Sequence, residues 1–254
     1  QIFTAVMLPM FMAMIDQTLL ATATPVVAAE FGNLYDTSWI ATAYLLTSAV
    51  MIPVYGRLGD RHGRRDVLLV SLAIYVLGSS LCAASGSMNQ LIAGRALQGF
   101  GGGGLMSLSF ALIGELVPPR QRVSYQGYFA IIGTAANILG PVVGGQIVAH
   151  ASWRWLFIAS LPLGTLAAWR LGRLPRGRHN PDAPGVADLV GLALFAVGTS
   201  LLLFGLSSAG HRFAWLSWQT AACIVVGALT WAALLAHEHR HRAPFFPIDV
   251  LKIR

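Results

Sequence analysis

The chain has 254 residues, of which 56% are hydrophobic and 11% are charged, and its mean hydropathy is +0.65. Soluble domains are usually about 25% charged, so this composition excludes an ordinary soluble enzyme and a disordered segment. The net charge of +7 would suit a nucleic-acid partner only if the basic residues clustered for that purpose. Cys82 and Cys223 lie in apolar stretches, which excludes a disulfide framework and a cysteine metal cluster.

Apolar runs long enough to cross a bilayer recur along the chain. A membrane-spanning helix needs about 20 mostly apolar residues, and by that criterion the sequence predicts eight spans. They cover, to within a few residues, positions 2–27, 37–56, 67–86, 89–114, 123–149, 153–172, 186–208 and 216–236. The first run begins without an initiator methionine and lacks a cleavage signature, so we expect further residues before it.

Basic residues concentrate at alternate ends of these spans. One set of ends carries Arg57, Arg61, Arg64, Arg65, Arg120, Arg122, Arg170, Arg173, Arg176, Arg178, Arg240, Arg242, Lys252 and Arg254. The opposite ends carry only Arg154 and Arg212. Because cytoplasmic loops are enriched in Lys and Arg, the first set and both ends of the chain are predicted to be cytoplasmic. This topology accounts for the basic charge without a nucleic-acid partner.

Two ionisable residues fall inside predicted spans. At 1.5 Å per residue, Asp16 lies roughly 21 Å from the cytoplasmic face and Arg95 roughly 9 Å below the outer face. In a core about 30 Å thick these depths nearly coincide, so the two side chains can meet. A buried carboxyl group can exchange a proton, which favours a functional site; the alternative is an ion pair that only orients two helices.

Milder polar residues also interrupt the apolar spans. They are Gln17, Thr18, Tyr44, Gln98 and Asn137. Such side chains either line a cavity or form hydrogen bonds between helices, and the sequence leaves both interpretations open.

The stretch from Gly56 to Arg65 is the densest charge cluster of the chain. Its glycines predict a tight turn in which two helices reverse direction, although a simple basic loop would also fit. The decapeptide GRLGDRHGRR resembles the G-x-L-a-D-r-x-G-r-r signature of the major facilitator superfamily.

Further motifs resemble the drug:proton antiporter branch of that superfamily with fourteen spans. Asp16-Gln17-Thr18 is similar to its first-span signature, and Arg95 with Gln98 is similar to its fourth-span signature. The fifth-span motif G-P-x-x-G-G matches Gly140, Pro141, Gly144 and Gly145. The stretch Trp153-Arg154-Trp155 resembles the opening of the sixth span. Ser160 departs from the Asn usual in that branch, so no role is assigned to it.

The resemblance implies an all-α membrane protein, with a six-helix N-terminal major facilitator bundle plus two additional transmembrane helices. Residues 1–172 would form the six-helix domain from 3+3 inverted repeats, and 173–185 a cytoplasmic loop. Residues 186–236 would form the two additional helices, and Asp188 would lie at the start of the first of them. Residues 237–254, a cytoplasmic basic segment, would lead to a C-terminal six-helix half that this sequence does not contain.

The resemblance also implies roles for individual residues. Asp16 would be the protonation site and would attract cationic substrate, while Arg95 would tune proton release. A conformational latch would consist of Gly56, Gly59, Asp60, Gly63 and Arg64. Glu115 ends the fourth predicted span on the same side, so we expect it to pair with Arg64 and join the latch. The fifth-span residues Gly140, Pro141, Gly144 and Gly145 would serve helix packing and motion, or substrate contact.

The implied function is proton-coupled export of amphipathic, cationic small molecules from a bacterial cytoplasmic membrane. The expected partners are the substrate, protons, lipid and the C-terminal half, with the proton as coupling ion, no other cofactor, and a monomer when complete. Because a fold does not fix its substrate, export of a siderophore, lipid, antibiotic or amino acid is the alternative. A channel is disfavoured, since the sequence has no filter-like stretch.

Two motifs point to other classes of protein. Residues 99–104 fit G-x-G-x-x-G, but they lie in a predicted span with no preceding strand, so helix packing is the better interpretation. Residues 237–241 fit H-E-x-x-H, and Asn180-Pro181-Asp182 is similar to the aspartate motif of intramembrane zinc proteases. The order of these elements is the reverse of the protease order, and the histidines lie at a basic helix end, which disfavours an enzyme.

Overall fold

The computed structural model describes residues 2–32, 36–175, 188–210 and 213–240, and all of the regular elements there are helices. They are α1 (Ile2–Phe31), α2 (Thr37–His62), α3 (Arg64–Ala83), α4 (Met88–Leu116), α5 (Pro119–His150), α6 (Arg154–Ile158), α7 (Ser160–Gly172), α8 (Leu189–Ser208) and α9 (Trp218–Arg240). The chain divides into two compact units, Gln1–His179 and Asn180–Arg254. The fold is therefore all-α.

Seven of these helices are long and apolar enough to cross a membrane. The remaining predicted span, 153–172, is divided into α6 and α7 at Ala159. Pro162 has no N–H to bond the Ile158 carbonyl, and this missing bond interrupts the helical ladder. Ala159 keeps helical dihedral angles (φ −61°, ψ −25°), so the chain continues in the same direction across the break.

The turn between α2 and α3 is much shorter than the sequence predicted. The tight turn expected over residues 56–65 is wrong, because α2 remains helical through His62 and α3 begins at Arg64. Gly63 alone reverses the chain, with a φ of +91° that favours glycine. Gly59 instead lies within α2, where a β-carbon would come within 2.6 Å of the Leu108 side chain on α4. Helix α9 ends at Arg240, so the first four residues of the segment predicted at 237–254 are helical.

Helix α4 is the centre of the first unit and packs between α2 and α3. Its glycines make this possible: a β-carbon at Gly103 would lie 2.6 Å from the Ser48 carbonyl oxygen of α2. At Gly101 a β-carbon would collide with the α3 backbone at Ser71 and Tyr75. The G-x-G-x-x-G stretch is therefore a surface of close helix packing, where small residues let backbones approach.

Arginines tie several helix termini together at one end of this unit, called here the basic end. Arg64 donates to the Ala111 carbonyl of α4 at 2.7 Å. Arg65 donates to the last carbonyls of α7, at Leu171 (2.9 Å) and Gly172 (2.6 Å). The bond to Gly172 satisfies a carbonyl at the C-terminus of α7, where a helix leaves its last carbonyls without partners of its own. The basic end thus contains the start of α1 and α3 and the end of α2, α4 and α7.

The second unit is an antiparallel pair formed by α8 and α9. Asp188 caps α8, since its Oδ1 accepts the Gly191 N–H at 2.8 Å, and the same oxygen lies 2.9 Å from Nε2 of His237 on α9. Glycines bring the helices close, because a β-carbon at Gly205 would lie 2.8 Å from the Cβ of Cys223.

Candidate functional site: a buried charge cluster in the first unit

A salt bridge joins α1 and α4 inside the first unit. Nη1 of Arg95 lies 2.5 Å from Oδ2 of Asp16, and the side chains are 0% and 9% exposed. The structure thus brings together the two ionisable residues that the sequence placed at similar depth. Charges this buried require both a counter-ion and hydrogen bonds to compensate for lost hydration. Of the two side chains, only that of Asp16 retains any exposed surface in this chain.

Gln98 connects both members of the pair. Its Nε2 donates to Oδ1 of Asp16 at 2.9 Å, and its Oε1 accepts from Nη1 of Arg95 at 2.6 Å. The second Nε2 hydrogen is donated to Oγ of Ser79 on α3, also at 2.9 Å. The amide therefore uses both its donor and its acceptor groups to fix the ion pair. Ser79 was not predicted from the sequence.

The guanidinium of Arg95 has further partners on α2. Its Nε donates to the Ile40 carbonyl at 3.2 Å, and its central carbon lies 4.5 Å from the centre of the Tyr44 ring. The ring face attracts the cation, as expected for an Arg stacked on an aromatic group. Nη2 of Arg95 is buried without a hydrogen-bond partner in the described part of the chain. Besides Asp16, the guanidinium of Arg95 therefore has two hydrogen-bond acceptors, Oε1 of Gln98 and the Ile40 carbonyl.

A missed glycine positions this cluster. Gly78 of α3 presses against Gln98, because a β-carbon there would lie 2.6 Å from Cα of Gln98. This close approach allows Ser79, the next residue, to reach the amide of Gln98. The only sequence signal was a Gly-Ser pair within an apolar span, which is too common to indicate a site.

The other predicted polar residues have separate surroundings. Oγ1 of Thr18 donates to the Ala136 carbonyl of α5 at 3.0 Å, so it links α1 to α5. Nε2 of Gln17 is buried without a partner among the described residues. Asn137 is exposed on α5 and does not join the charge cluster. Of the cavity candidates, Tyr44 and Gln98 contact Arg95 directly.

The fifth-span motif has a packed side and an open side. A β-carbon at Gly140 would lie 2.5 Å from Cβ of Thr18, and one at Gly144 would lie 3.2 Å from the Leu19 carbonyl oxygen. Both glycines are buried against α1. Pro141 and Gly145 are exposed, and a β-carbon at Gly145 would contact nothing within 4 Å. Gly140 and Gly144 therefore pack against α1, whereas Pro141 and Gly145 lie on the exposed face of α5.

The predicted latch residues meet at the basic end. Nη2 of Arg64, at the start of α3, lies 2.8 Å from Oδ1 of Asp60 near the end of α2, and its Nε lies 3.9 Å from Oε2 of Glu115 on α4. With Gly59 they line an open pocket. Gly56, the remaining glycine of the motif, has open space where a β-carbon would be.

A second charged cluster, at the opposite end, was missed. Oε1 of Glu30 accepts from Nη1 of Arg154 at 2.9 Å, and Oε2 accepts from the indole of Trp153 at 2.5 Å. Nη2 of Arg154 donates to the Ser85 carbonyl at 2.9 Å. These bonds tie the end of α1 to the α3–α4 connection and the start of α6. The Trp-Arg pair of the sixth-span motif therefore has a structural partner in Glu30.

The zinc-protease elements are only partly within the described residues. His237 contacts Asp188, and Glu238 is buried with both carboxylate oxygens lacking hydrogen-bond partners among the described residues. His241 and Asn180-Pro181-Asp182 lie outside the described residues, as do Arg176, Arg178, Arg212, Arg242, Lys252 and Arg254. Across positions 2–32, 36–175, 188–210 and 213–240, His, Cys, Asp and Glu form no group of three or more suited to a metal ion.

Comparison with known proteins gives the family. The chain is 35% identical to the Multidrug transporter protein MdtP of Bacillus subtilis, over all of this chain and 47% of the relative. It is 38% identical to the MFS-type transporter TwmF of Talaromyces wortmannii, over 86% of this chain and 41% of the relative. The chain therefore spans about half the length of the curated relatives it matches.

Solved structures show the same fold. The chain superposes on the human organic anion transporter MFSD10 with a TM-score of 0.65 at 19% identity, covering 87% of this chain and 58% of that one. A D-xylose-proton symporter superposes with a TM-score of 0.54 at 16% identity, covering 92% and 67%. The model of the Major Facilitator Superfamily matches residues 6–246. The chain belongs to the Major Facilitator Superfamily.

Proposed function

We propose that the chain is part of a proton-coupled exporter of amphipathic, cationic small molecules that works by alternating access. The observation that carries this proposal is the buried cluster of Asp16, Arg95 and Gln98. The superfamily consists of transporters and not enzymes, so the intramembrane zinc protease is set aside. The proton is the proposed coupling ion, with no other cofactor.

The geometry suits reversible protonation of Asp16. A buried guanidinium that lost its only acceptor would be strongly destabilised. Arg95 also donates to Oε1 of Gln98 and to the Ile40 carbonyl, so it keeps hydrogen bonds when Asp16 accepts a proton. Protonation would then neutralise the carboxyl and weaken the tie between α1 and α4. A change in helix position can follow from that single event.

The network at the basic end is the proposed conformational latch. Arg64 holds Asp60, Glu115 and the Ala111 carbonyl at once, so it couples the α2–α3 junction to the end of α4. Breaking these contacts would free the junction to move when the transporter changes state. In this proposal the basic end faces the cytoplasm, as the distribution of arginines indicates.

We propose further that a second six-helix half completes the transporter, with α8 and α9 as the additional pair of a fourteen-span protein. Substrate sites of such transporters lie between the halves. The complete protein is proposed to act as a monomer in a bacterial cytoplasmic membrane.

Export of one specific metabolite is the second candidate. One relative supports it by its name: the Acurin A biosynthesis cluster MFS-type transporter of Aspergillus aculeatus, which is 31% identical over the whole chain. The carboxylate of Asp16 favours a cationic or neutral substrate but does not exclude a specific metabolite, so the range of substrates exported is what distinguishes the candidates.

A transport panel tests the proposed function. The complete coding sequence is expressed in a bacterial strain lacking its own efflux pumps, and export of cationic dyes, neutral amphiphiles, siderophores and amino acids is measured. Export of several unrelated cations that stops when a protonophore collapses the proton gradient supports the proposal. Export of a single metabolite class supports the second candidate, and export that persists without the gradient contradicts proton coupling.

A further inference from the structure

An apolar groove lies between helices α1, α5 and α7 of the first unit, near the basic end. It has a volume of about 310 Å³ and is lined by Phe3, Thr4, Met7, Leu8, Phe11, Ile132, Leu166 and Arg170. The α1 residues from Phe3 to Phe11 follow one helix face over about 12 Å, at 1.5 Å per residue. The groove is therefore an elongated apolar slot between α1, α5 and α7, within the size range of ligand sites.

The basic end of the groove is charged. Arg170, in the last turn of α7, lines the groove and donates to Oγ1 of Thr4 at 3.3 Å. Arg170 and Arg173 form no salt bridge with the described carboxylates, in contrast to Arg64 and Arg95. Their guanidinium carbons lie 5.3 Å and 3.7 Å from the centre of the Trp169 ring. Two arginines without a salt bridge to any described carboxylate thus lie beside one indole ring, and one of them, Arg170, lines the groove.

The position of Trp169 indicates what surrounds this site. Its side chain is 50% exposed near the end of a helix in a membrane-spanning bundle. Tryptophan at such positions lies at the level of lipid headgroups, where the indole has one apolar and one polar environment. An occupant of the groove would therefore place its polar end beside Trp169 and its apolar part between α1 and α7.

We infer that this groove binds an anionic phospholipid, with the phosphate at Arg170 and Arg173 and one acyl chain along α1. Basic pockets between membrane helices bind anionic headgroups, and each arginine near the membrane surface contributes appreciably. Aqueous phosphate alone would leave the apolar slot unfilled. The site lies away from the Asp16–Arg95 cluster and does not depend on the proposed transport function.

Lipid binding to the delipidated full chain tests the inference. Native mass spectrometry measures binding of phosphatidylglycerol and of phosphatidylcholine with identical acyl chains, and glycerol phosphate is added as a soluble competitor. We expect phosphatidylglycerol to bind more tightly and glycerol phosphate not to displace it. Arg170→Gln should weaken binding of phosphatidylglycerol about fivefold, with a further loss when Arg173→Gln is added.

Matched variants separate the groove from general surface effects. Arg61→Gln removes an exposed arginine from the basic end outside the groove, and Leu81→Trp enlarges an exposed leucine on α3. Leu166→Trp fills the groove and should reduce binding of the lipid, whereas Leu81→Trp should not. Equal effects of Arg170→Gln and Arg61→Gln would overturn the inference. So would equal binding of the two lipids, or wild-type binding by Leu166→Trp, which would mean that the lipid binds outside the groove.

Discussion

Nη1 of Arg95 lies 2.5 Å from Oδ2 of Asp16, although the two residues are 79 positions apart in the chain. Among the salt bridges of the described residues, only this one has both side chains at most 9% exposed. Gln98 bonds to both charges, so three side chains form one unit. The energetic and functional consequences of this unit can be separated by mutation.

The ion pair should behave non-additively in stability measurements. Asp16→Asn or Arg95→Gln alone leaves an unpaired buried charge, which costs about 3–5 kcal/mol. The double variant removes both charges, so its loss of unfolding free energy should be clearly smaller than the sum of the single losses. The stability of the wild type, the two single variants and the double variant is measured by thermal unfolding in detergent. Strict additivity would mean that the two side chains do not interact.

The glycines of α4 should differ according to what they face. Gly101→Ala forces a methyl group into the α3 backbone and should destabilise the protein by about 1–3 kcal/mol. Gly114 lies on the same helix with nothing within 4 Å of a β-carbon, so Gly114→Ala is the control. Alanine has the higher helix propensity, and this variant should be neutral or slightly more stable. A similar loss in both variants would show that close packing against α3 does not distinguish Gly101 from Gly114.

The fifth-span motif allows an equally direct comparison. Gly144→Ala should weaken the contact between α1 and α5, whereas Gly145→Ala should leave folding unchanged. The amount of folded protein that elutes from a size-exclusion column in detergent measures folding. Export by the complete protein measures function. If Gly145→Ala folds normally but loses export, the exposed face of the motif acts in transport. If Gly144→Ala is as stable as the wild type, the packing role assigned to this position is wrong.

The latch should respond to loss of Asp60. Asp60→Ala removes the carboxylate that fixes Arg64 at 2.8 Å and should shift the balance of inward- and outward-facing states. Labelling of single introduced cysteines with a membrane-impermeant reagent measures the shift. Arg61→Ala, one residue away and exposed, is the control. An unchanged labelling pattern in Asp60→Ala would argue against a latch at this position.

The sequence allowed the helices to be predicted well, because long apolar runs separated by charged or Gly- and Pro-containing stretches identify membrane helices directly. It failed where one residue decides the local structure. Pro162 interrupts the sixth predicted span at Ala159, and Gly63 alone makes the turn for which ten residues were assigned. Such local breaks depend on individual hydrogen bonds that a hydropathy pattern does not report.

The cluster was predictable in part. The depths of Asp16 and Arg95 follow from counting residues along two antiparallel helices, and this count predicted their proximity. The contributions of Gln98, Ser79 and Gly78 depend on the rotation of α3 against α4, which residue spacing within one helix does not determine. Glu30 was not identified because its partner, Arg154, is 124 positions later in the chain, beyond four intervening helices.

The central claim is that protonation of Asp16 couples the proton gradient to export. The complete protein is reconstituted in liposomes, a pH gradient is imposed, and movement of a cationic dye is compared in wild type, Asp16→Asn and Asp66→Asn. Asp66 is an exposed carboxylate at the start of α3 and serves as the control. The account predicts that folded Asp16→Asn no longer responds to the pH gradient, while Asp66→Asn responds like the wild type. Gradient-driven transport by Asp16→Asn at the wild-type rate would contradict it.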